Sequence, residues 1–220
     1  MINEIHKIRV NVARVSHSAS EAIKRKIFDF EDYIFEKKYS LELSGIVENK
    51  NLVAKNKESL SHATAYHAVW SRNLRELFIE AKKTGYEFEN FIDIGSGKGK
   101  ACFYAYTKHH FTQIIGVEFS ETLVEIANRN KVKINSESIS FIHADATEFK
   151  LPKQKNLIFM FNPFDSVVLE KFIFNNVEQF KKHNSVIAYA NDIERLSLTK
   201  FGFETIFRNQ TRKISLYQLT

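Results

Sequence analysis

The stretch Asp93-Ile94-Gly95-Ser96-Gly97-Lys98-Gly99 holds three of the chain's seven glycines within five positions. It follows an apolar run, FENFIDI at 88–94, that reads as a buried strand, and it opens a stretch of helical character at 97–108. Such a strand-to-helix turn lets a ligand approach backbone amides that no side chain shields, and the helix N-terminus adds a partial positive charge. This is the chemistry of a small-ligand site in an open α/β sheet. The spacing narrows the ligand. A dinucleotide fingerprint needs glycine where Lys100 stands, and a phosphate-binding loop needs Ser or Thr after its Gly-Lys pair, where Ala101 stands. NAD and ATP are both disfavoured. A purely structural turn would need one or two glycines, and Lys98 and Lys100 read as solvent-facing positions of the first helical turn.

Carboxylates stand at the next two strand ends. Glu118 closes QIIGVEF (113–119) about twenty residues past the loop, where a ribose-binding carboxylate belongs in a Rossmann-like site. Its alternative is a surface acid ahead of a helix capped by Ser120. Asp145-Ala146 follows SISFIHA (138–144), in which strand alternation turns His143 to the opposite face, as a core or rim histidine. NLIFMF (156–161) runs into Asn162-Pro163-Phe164, one of the two prolines falling at the carboxyl edge of the sheet, where ligands sit. The bland reading of that segment is a loop with a packing Phe.

An acidic strand end followed by G-x-G-x-G, then GVEFSETLVEIANRN, then Asp145, resembles the class I, Rossmann-like S-adenosylmethionine-dependent methyltransferases over roughly residues 88–190. The resemblance implies a transferase of the EC 2.1.1 class with S-adenosyl-L-methionine as cofactor. It implies that Asp93 acts through the cofactor's ammonium end and that the backbone at Gly95, Ser96 and Gly97 faces its amino-acid portion. Glu118 and Phe119 would hold the ribose, and Asp145 with Ala146 would frame the adenine. Phe161-Asn162-Pro163-Phe164 is similar to the (Asp/Asn/Ser)-Pro-Pro-(Tyr/Phe) motif of amino-group methyltransferases, with the second proline missing. By that likeness Asn162, also near the cofactor, orients an amine, Phe164 stacks on it or on the sulfonium, and Pro163 and Tyr66 belong to the acceptor side. Two other readings stay open: a non-catalytic Rossmann-like cofactor-binding module, and a nicotinamide-dependent oxidoreductase.

The elements that must position these residues are legible as periodicity. Ala22, Ile23, Ile27, Phe30, Ile34 and Phe35 predict an amphipathic helix over 19–38, and 39–60 reads as a short strand or hairpin followed by a loop. A helix is expected over 64–83, with Gly85 as its C-terminal glycine. Helices at 120–130 and 166–180, a strand at 185–190 and a closing hairpin (202–208 and 213–219) complete the pattern. Strands alternating with helices call for a parallel sheet covered on both faces. The resemblance implies the three-layer α/β methyltransferase fold, a mostly parallel seven-stranded sheet with a C-terminal antiparallel hairpin. Residues 1–60 are expected to form an N-terminal helical extension and 61–220 the methyltransferase domain. Ser61 to Tyr66 is placed to close over the site, so that Tyr66 or His62 touches cofactor or substrate; packing within a helix is the equal alternative for Tyr66.

At 220 residues, with 44% hydrophobic and 26% charged residues, the chain has room for one folded α/β domain plus a short extension, and 20 Phe supply an aromatic core. The lone Cys102 forms no intramolecular disulfide, and the first residues lack an apolar run of signal-peptide or membrane-span length, so the cytoplasm is expected, with no membrane partner and no metal. The +6 net charge is scattered in pairs such as Lys37-Lys38, Lys82-Lys83 and Lys181-Lys182, which read as solvated faces. Charge therefore leaves the methyl acceptor open among protein, nucleic acid and small molecule.

Overall fold

The computed structural model describes residues 22–48 and 57–219. Seven strands form one sheet: β1 (Asn90–Ile94), β2 (Gln113–Glu118), β3 (Ile139–His143), β4 (Asn156–Phe161), β5 (Val186–Ala190), β6 (Phe203–Asn209) and β7 (Ile214–Leu219). Their spatial order is β3-β2-β1-β4-β5-β7-β6, and β7 alone runs against its neighbours. The order reverses beside β1, which makes the carboxyl ends of β1 and β4 the crevice of the sheet. Every residue of β1 and of β5 is buried, as central strands covered on both faces require, whereas the edge strand β3 is buried and exposed by turns.

Helices cover both faces: α1 (22–39), α2 (Lys57–His62), α3 (Ser71–Lys83), α4 (Lys100–Lys108), α5 (Glu121–Ile134), α6 (Ser166–His183) and α7 (Arg195–Lys200). Strand alternation divides the core into two layers. Phe91 and Phe159 face Phe78 of α3 and Phe103 and Tyr104 of α4, while Ile92 and Ile158 face Phe172 and Phe180 of α6. The abundant Phe residues meet edge to face, tilted or stacked, with Phe180 and Phe203 at 5.0 Å, Phe78 and Phe91 at 5.4 Å and the stacked Phe91 and Phe159 at 6.1 Å between ring centres.

Several expectations need correction. The helix expected over 64–83 begins at Ser71, because Thr64 and Tyr66 spend their amides on Pro163 and Val47 in strand-like bridges. α4 begins at Lys100 and not at 97, since Gly97 and Gly99 take left-handed conformations no helix uses. α2 and α7 leave no sign in the sequence; of the short strand or hairpin and loop expected over 39–60, the described part 41–48 forms a single bridge at Val47, residues 57–60 belong to α2, and 49–56 lie outside the described residues.

The first helix is amphipathic in the opposite sense to that expected. Ile23, Ile27, Phe30 and Ile34 are exposed and only Phe35 of the apolar set is buried, while the expected start at 19–21 lies outside the described residues. The inner face carries acids instead. Trp70, at the N-cap of α3, supplies no side-chain cap, and Asp32 of α1 accepts the Ser71 amide at 2.9 Å in its place. The same carboxylate pairs with Lys100 at 2.5 Å. Lys98 and Lys100, expected in solvent, are therefore 7% and 4% exposed, with Lys98 donating to the Ser44 carbonyl at 2.7 Å. Burial lowers the Lys100 pKa and Asp32 opposes the shift. Replacing Lys100 by Met leaves Asp32 without its cation, so urea unfolding should show a loss of about 3 kcal/mol. The Lys100→Met, Asp32→Asn double variant should recover part of that loss; an unchanged midpoint for Lys100→Met would show that the pair is not structural.

Candidate functional site

A cavity of about 970 Å³ opens at the carboxyl ends of β1 to β4. Its floor is the glycine turn. Gly95 and Ser96 both donate their amides to the Val117 carbonyl, at 2.8 and 3.1 Å, which moors the turn to β2. At Gly95, with φ +77°, an added β-carbon would lie 2.3 Å from Cβ of Pro163; at Gly97, with φ +54°, it would lie 2.2 Å from the Tyr66 ring. The two glycines thus admit the Asn162-Pro163 loop on one side and the N-terminal segment on the other.

The carboxylates differ sharply in how they are held. Glu118 is buried, and its two oxygens accept the amides of Gly97 at 2.8 Å and Ser120 at 2.9 Å. Burial raises its pKa, opposed by those amides. Ser120 stands at the α5 N-cap, but its hydroxyl caps nothing and has no partner among the described residues; the carboxylate takes the amide of the cap residue itself, one step ahead of the helix. Asp93 is 3% exposed, and among the described residues its one hydrogen-bond partner is the Cys102 thiol, 3.6 Å away. Burial pushes its pKa up to about 8, with the thiol opposing and Glu118 adding to the shift. Asp145 accepts the amide and hydroxyl of Thr147, at 2.9 and 2.8 Å. The Ser96 hydroxyl is buried without a partner. A nearly unanswered buried carboxylate and an orphan hydroxyl on one cavity wall suit a ligand that brings an ammonium group and acceptor atoms of its own.

A strap crosses the cavity beside the Asn162 loop. Thr64 donates its amide to the Pro163 carbonyl at 3.0 Å and its hydroxyl to the Asn162 carbonyl at 2.6 Å. Ala63 bridges Phe164, and Asp165 donates its amide to the His62 carbonyl while its carboxylate meets His62 Nδ1 at 2.6 Å. Tyr66 ends the strap, its hydroxyl donating to the Leu43 carbonyl at 2.7 Å. Asn162 is left-handed at φ +41°, and its Oδ1 accepts from the Tyr189 hydroxyl at 3.2 Å.

Asp93, Gly95, Ser96, Glu118, Phe119, Asp145, Ala146, Asn162, Pro163, Phe164 and Tyr66 all line this one cavity. Gly97 does not, because the Tyr66 ring lies over it, and His62 is turned to Asp165. Tyr66 belongs to no helix. His143 is a rim histidine that bonds the Phe119 carbonyl at 3.0 Å. Reading the sequence missed the α1 wall of the cavity, Asp29, Asp32, Tyr33 and Glu36, together with Trp70 and Asn73 of the α3 start. Its signal was the acidic spacing i, i+3, i+7 within an apparently apolar helix. Among the described residues no group of His, Cys, Asp and Glu could hold a metal ion, and no helix is long and apolar enough to cross a membrane.

The raised Asp93 pKa has a stability consequence. A carboxyl group whose folded value lies above its ordinary 3.8 contributes stability that is complete below that pH and is lost as pH rises through about 8. The stability advantage of Asp93→Asn over the parent protein should therefore be small near pH ~4, grow towards pH ~8 and then level off, as read from thermal melts of the ligand-free proteins. A pH-independent difference would mean that Asp93 is ionised throughout.

Two family models match the chain. The methyltransferase domain matches residues 87–212, and protein-L-isoaspartate(D-aspartate) O-methyltransferase matches residues 1–149. No curated protein sequence matches. Solved structures share the fold at low identity. An S-adenosylmethionine-dependent methyltransferase from Clostridium acetobutylicum is 10% identical, with a TM-score of 0.54 over 69% of this chain and 92% of that one. TrmN from Thermus thermophilus is 13% identical at 0.54, the match spanning 69% of this chain and 49% of TrmN. The ribosomal protein L11 methylase from Lactobacillus delbrueckii is 11% identical at 0.50, over 68% and 80%. A methyltransferase-domain match over more than half of the chain, on a seven-stranded sheet with one reversed strand, establishes that the chain belongs to the class I S-adenosylmethionine-dependent methyltransferases, with S-adenosylmethionine as its cofactor.

Proposed function

We propose that the enzyme transfers the methyl group to an amine nitrogen. The observation that carries this reading is the Asn162 loop. Asn162 lines the cavity, and the Tyr189 hydroxyl takes one of the two acceptor positions of its amide oxygen, which leaves the other for an amine N–H. Phe161 and Phe164 flank it on the cavity wall. S-adenosylmethionine supplies an electrophilic methyl on a sulfonium sulfur: the acceptor's lone pair bonds the carbon as the C–S bond breaks and its electrons stay on sulfur. The chain's own task is to bind, to orient and to exclude water, and orientation can supply most of the rate.

In this reading Asp93 holds the cofactor's ammonium, Glu118 and Phe119 the ribose, Asp145 and Ala146 the adenine, and Gly95 and Ser96 its amino-acid portion. Gly97 acts through Glu118, to which it donates its amide. The N-terminal extension, taken as residues 1–60, contributes some of its described residues to the site of a catalytic domain of 61–220. Ser44 and Gly45 line the cavity from it, and the Ser44 carbonyl holds Lys98. A second reading is favoured by the isoaspartyl methyltransferase match over residues 1–149: transfer to a protein carboxylate.

Labelled cofactor separates the two readings, because a methyl ester is lost in mild base and a methylamine is retained; a base-labile product would overturn the amine reading. Asp93→Ala should abolish binding of S-adenosylhomocysteine in calorimetry. Asn162→Ala should bind it nearly normally and turn over about a hundredfold more slowly. Loss of affinity in both would refute this division of roles. Because Asp93 must ionise to hold an ammonium, binding at pH ~7 should release a proton and the affinity should rise with pH until about 8, seen as a buffer-dependent heat.

A further inference from the structure

We infer that the acceptor amine is an alkylammonium group, a lysine side chain or the end of a polyamine, and that the inner face of α1 with Asn73 and Trp70 recognises it. The inference rests on the amine reading and names the class of amine. It starts from a charge imbalance inside the cavity. Asp29, Asp32 and Glu36 of α1 all line it. Asp32 is answered by Lys100. Asp29, at the exposed rim, accepts the Trp70 indole N–H at 3.2 Å and Glu36 the Leu43 amide at 2.8 Å; among the described residues neither forms an ion pair, although the Lys100 charge reaches both, so one cation faces three carboxylates. The cavity's other side-chain cation besides Lys100, Arg212, is bound to Glu76. Asp93, Glu118 and Asp145 belong to the cofactor's share of the cavity and cancel none of this charge.

An independent observation sits on the same wall. Asn73 is 7% exposed, lines the cavity, and its carboxamide makes no hydrogen bond with any described residue. The carboxamide oxygen is thus left for a donor from a ligand in the cavity, and an ammonium offers three. Trp70 adds an indole ring to the same wall, fixed by Asp29 and by the Phe28 ring 5.3 Å away, whereas the Tyr33 ring already carries the Lys37 ammonium 5.5 Å from its centre. Carboxylates, a carboxamide without a described partner and an indole together describe a receptor for a compact cation on an aliphatic stem.

The alternatives lose by sign. A nucleobase amine is uncharged at neutral pH and gains nothing from Asp29 and Glu36, and the phosphodiester chain that carries it is repelled by them, whatever the +6 net charge of the whole protein. A carboxylate acceptor is repelled directly. For the alkylammonium the step balances: the bound R-NH3+ first releases one proton to water, the freed lone pair forms the N–C bond, the C–S bond breaks with its electrons to sulfur, and the product is R-NH2CH3+ with a neutral thioether.

The test compares four acceptors on the full chain with labelled S-adenosylmethionine: a lysine-containing peptide, spermidine, an aspartyl peptide and a short RNA. The peptide or spermidine should be methylated with a base-stable product, and whichever is preferred tells a protein side chain from a free polyamine. The Asp29→Asn, Glu36→Gln variant keeps the acceptor atoms for Trp70 and Leu43 but removes both charges, so KM for the cationic acceptor should rise about five- to tenfold, with the loss falling on KM and not on kcat. Charge reversal by Asp29→Lys should raise KM further, and melts of all variants check folding. Methylation of RNA at an exocyclic base amine, identified by nucleoside analysis, or of amines with KM unmoved by the variants, would sink the alkylammonium inference and leave amine transfer standing; methylation of RNA at carbon or at a ribose oxygen would sink both. A base-labile product on the aspartyl peptide would sink both.

Discussion

The carboxylate of Glu118 joins two pieces of chain that would otherwise be independent. One oxygen takes the amide of Gly97 in the turn after β1, and the other takes the amide that opens α5 after β2. Both amides are buried, so each needs an acceptor that water cannot provide, and one ionised side chain serves both. Since the Val117 carbonyl receives Gly95 and Ser96 from the same turn, the carboxyl ends of β1 and β2 are locked in register by the strand that bears the carboxylate. The cavity exists because these ends are held open and still. Everything laid over them, the Tyr66 ring on Gly97 and Pro163 on Gly95, depends on a turn whose shape is set from below.

Asp93 is the counterpart of that arrangement. It sits one strand over, equally buried, with a thiol as its sole described partner. A protein that satisfies Glu118 with two amides and leaves Asp93 nearly bare concentrates its unfavourable electrostatics at one atom group beside the ligand cavity. Perturbed groups gather at functional sites for this reason, and the mild strain of the apo state becomes affinity when a cation arrives.

What could be read in advance follows from how local each cause is. The alternation of strands and helices from β1 onward, the glycine turn, Glu118, Asp145 and the Asn162 loop are all written in short spans, because central strands are apolar throughout and turns need particular residues at particular places. The N-terminal part misled. The apolar residues of α1 suggested a buried stripe, yet its buried partners are Lys100, the Ser71 amide and the Trp70 indole, all supplied by segments distant in sequence, and no periodicity within α1 reveals them. Thr64 to Trp70 likewise has helical spacing and an extended backbone, since its hydrogen-bond partners lie on the Asn162 loop and at Val47. Lys98 and Lys100 look like surface lysines for the same reason: the groups that bury them come from elsewhere.

The place of β7 between β5 and β6 carries a consequence for how the molecule assembles. A strand that is later in the chain lies inside the sheet while an earlier one lies at its rim, so β6 has no neighbour to pair with until β7 has passed it and doubled back. Until then β5 is a bare, wholly apolar edge, the kind of template on which unrelated chains aggregate. The parallel core can form earlier, but its flank stays sticky through the emergence of residues 214–219. Cover for the β5 edge until residues 214–219 pair with it would therefore protect the folding chain from aggregation.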